Sequence, residues 1–198
     1  LTSIDSAKDK RNTDIWMMSW DGTEKVQLTN SPDGESSPRW SPDGKYISFT
    51  TARNGGSSQV YLLNRLGGDA IKLTDVKGEL GDYAWSPDGK KILLTLKDFE
   101  DSTGKKGNKP YVLDRYHFKE DVSGYQYDKR KNHLYLFDVA TKKTDTLTRG
   151  DYNEGNAQWS PDGSAIAFVS NHTEDPDKNS NTDIFILDIK PGAVAKQF

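Results

Sequence analysis

Cysteine is absent from the 198-residue chain, which excludes disulfides and thiol chemistry but leaves the compartment open between an envelope-exposed or secreted protein and a cytosolic one. Histidine is scarce, and His117, His133 and His172 are the whole supply. No Gly-x-Ser-x-Gly occurs, so the strand-to-helix elbow that presents a nucleophilic serine is missing. His133 opens an expected strand and His172 falls in a polar loop, and neither stands beside a plausible nucleophile. With three scattered histidines and no cysteine, no metal-ligand spacing of the usual kind is present. The expectation is therefore a chain without catalytic residues, without a cofactor and without a metal. Long apolar runs are also lacking: none approaches the roughly 18 residues of a membrane helix, and mean hydropathy is −0.85. A soluble protein with no membrane span is expected. Nor is there an excess of one charge, since 27 Lys+Arg stand against 30 Asp+Glu for a net of −3, which removes the basic footprint that nucleic-acid binding needs.

What the chain does have is a repeat. Trp40-Ser41-Pro42-Asp43-Gly44 returns as Trp85-Ser86-Pro87-Asp88-Gly89 and as Trp159-Ser160-Pro161-Asp162-Gly163. Ser-Pro-Asp-Gly is the residue order of a type I turn closed by a glycine in the left-handed region, so each copy reads as a hairpin tip. An alternating, β-branched strand follows each tip, at residues 46–50, 91–95 and 165–169. A nearly continuous apolar strand comes next, at 59–64, 133–138 and 183–188, with an earlier copy at 14–19. Leu28-Thr29, Leu73-Thr74 and Leu147-Thr148 end the units.

Trp40 and Trp85, Trp16 and Tyr61, and Leu28 and Leu73 are each 45 residues apart. Four short strands in about 40 to 45 residues is the arithmetic of a β-propeller blade. An all-β, partial propeller of four-stranded antiparallel blades is expected over residues 1–198 as one domain. Its units are an incomplete blade at 1–29, then 36–74, 82–148 and 156–198. The next period, Trp85 to Trp159, is 74 residues, and the excess of 29 falls between the second and third strands of that blade, as an insertion at 99–131. The units are too few for most closed rings, which have about four to eight blades. The chain opens inside a unit and without Met, so it reads as a piece of a longer protein, with a ring of seven or eight blades. Open blade edges would let copies associate.

Three places invite a functional reading. The insertion concentrates aromatics and both charges, and loops on a rigid scaffold are where binding residues sit. Arg115 and Lys119 are candidates to meet acidic or carbonyl groups of a ligand or partner domain, with Tyr116 and Tyr125 supplying contact area. The competing reading is an extended hairpin with solvated charges. The loop 171–181 spaces Asp175, Asp177, Asn179, Asn181 and Asp183 as a calcium loop would, but Ser180 stands where the turn needs Gly and Ile186 where it needs Glu, so a solvated loop is the better reading. Trp40, Trp85 and Trp159 are expected between blades, and Gly44, Gly89 and Gly163 at the turns.

These residues resemble a family. Trp-Ser-Pro-Asp-Gly repeats with Leu-Thr unit ends are similar to the propeller repeats of the Tol system and of prolyl oligopeptidase family peptidases. Lys10-Arg11-Asn12-Thr13-Asp14-Ile15-Trp16 and Arg115-Tyr116-His117-Phe118-Lys119, continued through Gly124-Tyr125 to residues 130–135, resemble the acylaminoacyl-peptidase and dipeptidyl-peptidase branch. The resemblance implies a non-catalytic propeller that filters peptide substrates for a C-terminal α/β-hydrolase domain, in which the Ser, Asp and His of the triad would lie. The chain departs from the dipeptidyl-peptidase IV pattern in lacking an adjacent Glu-Glu pair for a substrate amine. The other reading is a stand-alone, protein-binding propeller of the Tol type.

Overall fold

The computed structural model describes residues 2–5, 10–99, 115–116, 118–121, 124–125 and 129–198. Two hairpins open the chain, β1 (Thr2–Asp5) with β2 (Lys10–Thr13) and β3 (Trp16–Met18) with β4 (Lys25–Gln27). Three four-stranded antiparallel sheets follow. The first joins β5 (Glu35–Trp40), β6 (Tyr46–Thr51), β7 (Gln59–Asn64) and β8 (Ile71–Lys72) in chain order. The second joins β9 (Glu79–Trp85), β10 (Lys91–Lys97), β13 (Asn132–Asp138) and β14 (Thr144–Thr146), while β11 (Lys119–Glu120) and β12 (Gly124–Tyr125) pair separately inside the insertion. The third joins β15 (Glu154–Trp159), β16 (Ala165–Ser170), β17 (Asp183–Asp188) and β18 (Lys196–Gln197). Sheets of this order are blades, and the molecule is a partial β-propeller.

Residues 91–95, expected to alternate, do not do so in β10, and burial on both faces explains the difference. On β10, Ile92, Leu94 and Leu96 pack with Val60, Leu73, Tyr83 and Phe137 at the seam with the preceding sheet. Leu93, on the other face, joins Leu134, Ala157, Ile166, Phe168, Phe185 and Leu187 at the seam with the following one. A sheet covered on both faces has no solvent side to mark with polar residues. At the first seam Ile15 meets Phe49 and Leu63.

The hairpin tips form as the turn chemistry requires. Ser41 Oγ donates to Asp43 Oδ1 at 2.6 Å and accepts from Tyr46 N, while Lys45 N donates to the same carboxylate. Gly44, Gly89 and Gly163 have φ of +66, +71 and +72. Neighbouring tips touch: a Cβ at Gly163 would lie 3.4 Å from Pro87 Cδ. Trp85 Nε1 donates to Ser48 Oγ of the preceding sheet and Trp159 Nε1 to Ala84 O, so both rings sit across seams. Trp40 differs, remaining 51% exposed beside the short β3–β4 hairpin.

The inner strands begin ahead of the boundaries expected at 36, 82 and 156. Each carries a register shift, between Ser36 and Arg39, at Leu80–Asp82, and between Gly155 and Gln158. Ser37 and Asn156 take positive φ there. A bulge adds a residue without lengthening the ladder, so counting back from Trp undershoots the strand. Of the third strand expected at 14–19 only β3, Trp16–Met18, forms, with Asp14 and Ile15 separating it from β2.

Candidate functional site: a polar cleft beside the insertion

The three Trp-Ser-Pro-Asp-Gly tips lie at one end of the strands, because each joins a first strand to a second. The antiparallel order therefore sends the connections between second and third strands to the other end. A cleft of about 690 Å³ opens at that end between the insertion and the loop 171–181. Glu154, Ser170 and Asn132 line it from the strand ends, and Arg115, Lys129 and Lys131 from the insertion.

The loop 171–181 is held by its own amides. Asn171 Oδ1 accepts from Thr173 N and Oγ1, Asn171 Nδ2 donates to Asn179 Oδ1, and Asn179 Nδ2 donates to Asp175 O. Asp175 pairs with Lys178 at 2.7 Å and Asp177 accepts from Tyr116 N, which fastens the insertion to the loop. Carboxylates engaged in this way do not converge as calcium ligands would. Among the described residues no group of three or more His, Asp or Glu side chains could hold a metal. An aromatic column runs from the core toward the cleft: Phe168 and Phe185 are 5.7 Å apart, Phe185 and His172 4.2 Å, His172 and Tyr152 3.9 Å. Burial among these rings pushes the His172 pKa down, so it stacks as the neutral imidazole.

Of the residues singled out in the sequence, Arg115 lines the cleft half-buried and Tyr116 is exposed and tied to Asp177. Lys119 is exposed on β11, paired through its backbone with Tyr125, and does not line the cleft. The side chain of Tyr125, His117 and residues 100–114 lie outside the described residues.

Sequence reasoning missed a buried chain of one imidazole and two carboxyl groups. His133 Nδ1 is 2.8 Å from Glu154 Oε2, and His133 Nε2 is 3.6 Å from Asp98 Oδ2. His133 and Glu154 are almost wholly buried. Burial pushes the Glu154 pKa up, partly offset by hydrogen bonds from His133 and Thr148. No hydroxyl nucleophile is hydrogen-bonded to either His133 or His172 among the described residues. A signal was readable, since Glu35 and Glu154 both stand five positions before their Trp, and His133 stands where Gln59 does, one residue before the strand position that pairs with the unit's Thr.

Comparison with known proteins places this geometry. A curated relative is an uncharacterized peptidase, YuxL, of Bacillus subtilis, 29% identical over 193 residues, a match that covers 94% of this chain and 29% of the relative. The chain thus spans under a third of that protein's length. Among solved structures, the acylaminoacyl peptidase of Pyrococcus horikoshii superposes with a TM-score of 0.72 at 16% identity, covering 100% of this chain and 29% of the other. TolB from Acinetobacter baumannii superposes with a TM-score of 0.61 at 22% identity, covering 93% and 37%. The expected likeness to peptidase propellers with Tol-type repeats is thereby met on both sides. The family model described as the TolB beta propeller domain matches residues 3–106, and the chain belongs to that propeller family.

Proposed function

We propose that this chain is the substrate-gating part of a serine exopeptidase or oligopeptidase, a non-catalytic propeller that admits and positions peptides for an α/β-hydrolase domain of the parent protein. The observation that carries the reading is the cleft, walled on one side by a 29-residue expansion that a plain scaffold has no use for, with Arg115 on its rim. Arg115 and Tyr116 are the contacts offered to peptide, and Lys119, away from the cleft, and Tyr125 are those offered to the hydrolase domain. The nucleophile and its base belong to that domain. The peptidase relative, aligned over nearly the whole chain, supports the same assignment.

A second reading, a stand-alone protein-binding propeller, is favoured by the match to the TolB domain. Hydrolysis of aminoacyl and dipeptidyl chromogenic substrates by the full-length protein beside this chain, with a serine-reactive phosphonate as control, separates the two. Phosphonate-sensitive turnover by the full-length protein alone supports gating. A full-length protein that is inert and unlabelled leaves the binding propeller.

A further inference from the structure

Three seams repeat one polar device, and the third seam uses it differently. Thr29, Thr74 and Thr148 each accept, through the side-chain hydroxyl, from the backbone N of Ile15, Val60 and Leu134 at 2.8 to 2.9 Å. Each hydroxyl then donates to a buried acceptor. At the first seam this is Glu35 Oε2 at 2.8 Å, its charge faced by Arg53 at 3.4 Å. At the second it is Gln59 Oε1 at 2.8 Å, and Leu80 stands at the glutamate position, so the seam is neutral. At the third it is Glu154, faced by His133. Sealing a seam therefore requires no ion pair, because Gln59 and Leu80 do it with an amide and an alkyl group.

His133 does something that Gln59 does not. Its other nitrogen faces Asp98, and Asp98 closes the insertion: Asp98 N donates to Lys131 O at 2.8 Å, and Lys131 N donates back to Asp98 Oδ2 at 3.3 Å. Lys131 lines the cleft and its Nζ pairs with Asp151 at 3.1 Å. One buried imidazole thus touches the first residue of β15 and the root of the insertion. At 3.6 Å the Asp98 leg is too long for a hydrogen bond and is a packing contact between the ring and the carboxylate.

We propose that His133 is a positioning residue, fixing the root of the insertion against β15 and so setting the wall of the cleft, and that sealing the seam is the lesser part of its role. The importance of that wall rests on the cleft being the substrate-facing site. The test transplants the neutral seam. His133→Gln with Glu154→Leu reproduces the Gln59–Leu80 arrangement and removes the reach to Asp98. The double variant is expected to unfold thermally within a few degrees of the original, while the Lys131 amide exchanges its hydrogen about tenfold faster and the Leu136 amide is unchanged. If the Lys131 and Leu136 amides move together, or Lys131 keeps its protection in the folded double variant, the imidazole is only a seam residue and the proposal falls. Should that variant fail to fold, His133→Gln alone leaves Glu154 with a donor and Asp98 Oδ2 as the acceptor of the Lys131 amide, and removes the imidazole nitrogen that faces Asp98. Faster Lys131 exchange supports the proposal, and unchanged exchange overturns it. Neither readout depends on peptide turnover, so an inert full-length protein would remove the gating reading and leave this one standing.

Discussion

Asp162 shows what one turn residue contributes. Its carboxylate accepts from Ser160 Oγ, Ser164 N and Ser164 Oγ, and these hydrogen bonds hold its pKa down at about 2. Asp43 and Asp88 are lowered by the same serine and backbone donors. A depressed folded value means stability that is present above the ordinary aspartate range and is lost as pH falls through the folded value. The melting temperature is therefore expected to decline from about pH 3.8 to about pH 2. Asp162→Asn keeps an acceptor oxygen without the titration, so its melting curve should be flatter over that window; equal slopes for the two proteins would show that the tips do not govern acid unfolding. Glycines at the turns divide by surroundings. Gly55 has φ +70 and open space around it, whereas a Cβ at Gly78, φ +95, would lie 2.3 Å from the Lys97 carbonyl oxygen. Gly55→Ala should cost about 1 kcal/mol, the ordinary left-handed penalty. Gly78→Ala should cost about 3 kcal/mol or more, since backbone rather than a side chain must yield. Urea denaturation of both variants measures the difference.

Between sheets, hydrogen bonds are shared rather than merely added. Tyr83 Oη lies 2.9 Å from both Ser37 O and Ser48 Oγ, and Trp85 Nε1 donates to the same serine at 2.8 Å. Burial pushes the Tyr83 pKa up to about 12, so the phenol stays a neutral donor at this seam. Tyr83→Phe and Trp85→Phe should each cost about 1 to 2 kcal/mol. The double variant is expected to lose less than the sum by about 0.5 kcal/mol or more, because both act on Ser48. Strict additivity in a double-mutant cycle would mean that the serine is not the link. This level is also where the sequence is most and least legible. The four-stranded antiparallel sheets were legible in the repeat because Ser-Pro-Asp-Gly and Leu-Thr have local causes, namely a turn and a ladder end. His133 with Glu154 and Asp98 went unread because His133 meets Asp98, 35 residues away, only when β10 pairs with β13, and Glu154, 21 residues away, only when neighbouring sheets pack. The bulges at Ser37 and Asn156 were equally out of reach, since neither residue type demands positive φ.

Taken as one body, the protein separates a scaffold from what is mounted on it. The connection between second and third strands is short in the sheet of β5 to β8, running from Thr51 to Gln59, and long in the next, running from Lys97 to Asn132. Both connections leave strands of the same register and depth, so the longer one is not needed to pair β10 with β13, whose ladder is complete from Lys91 to Lys97. The expansion walls one side of the cleft, with Arg115 and Lys129 on its rim. Replacing residues 99–131 by the sequence of residues 52–58 therefore tests the division directly. Shortening that loop about fivefold returns roughly 1 to 1.5 kcal/mol of closure entropy, which offsets the lost Lys131 contacts, so thermal stability should change little. On the proposed gating function, which puts the reacting groups elsewhere, the same replacement in the full-length protein should leave hydrolysis of a short chromogenic substrate within about threefold, while longer peptides gain relative to short ones as the cleft wall is removed. An unchanged length preference would place the filter outside this insertion. A collapse of stability would instead make the insertion part of the scaffold.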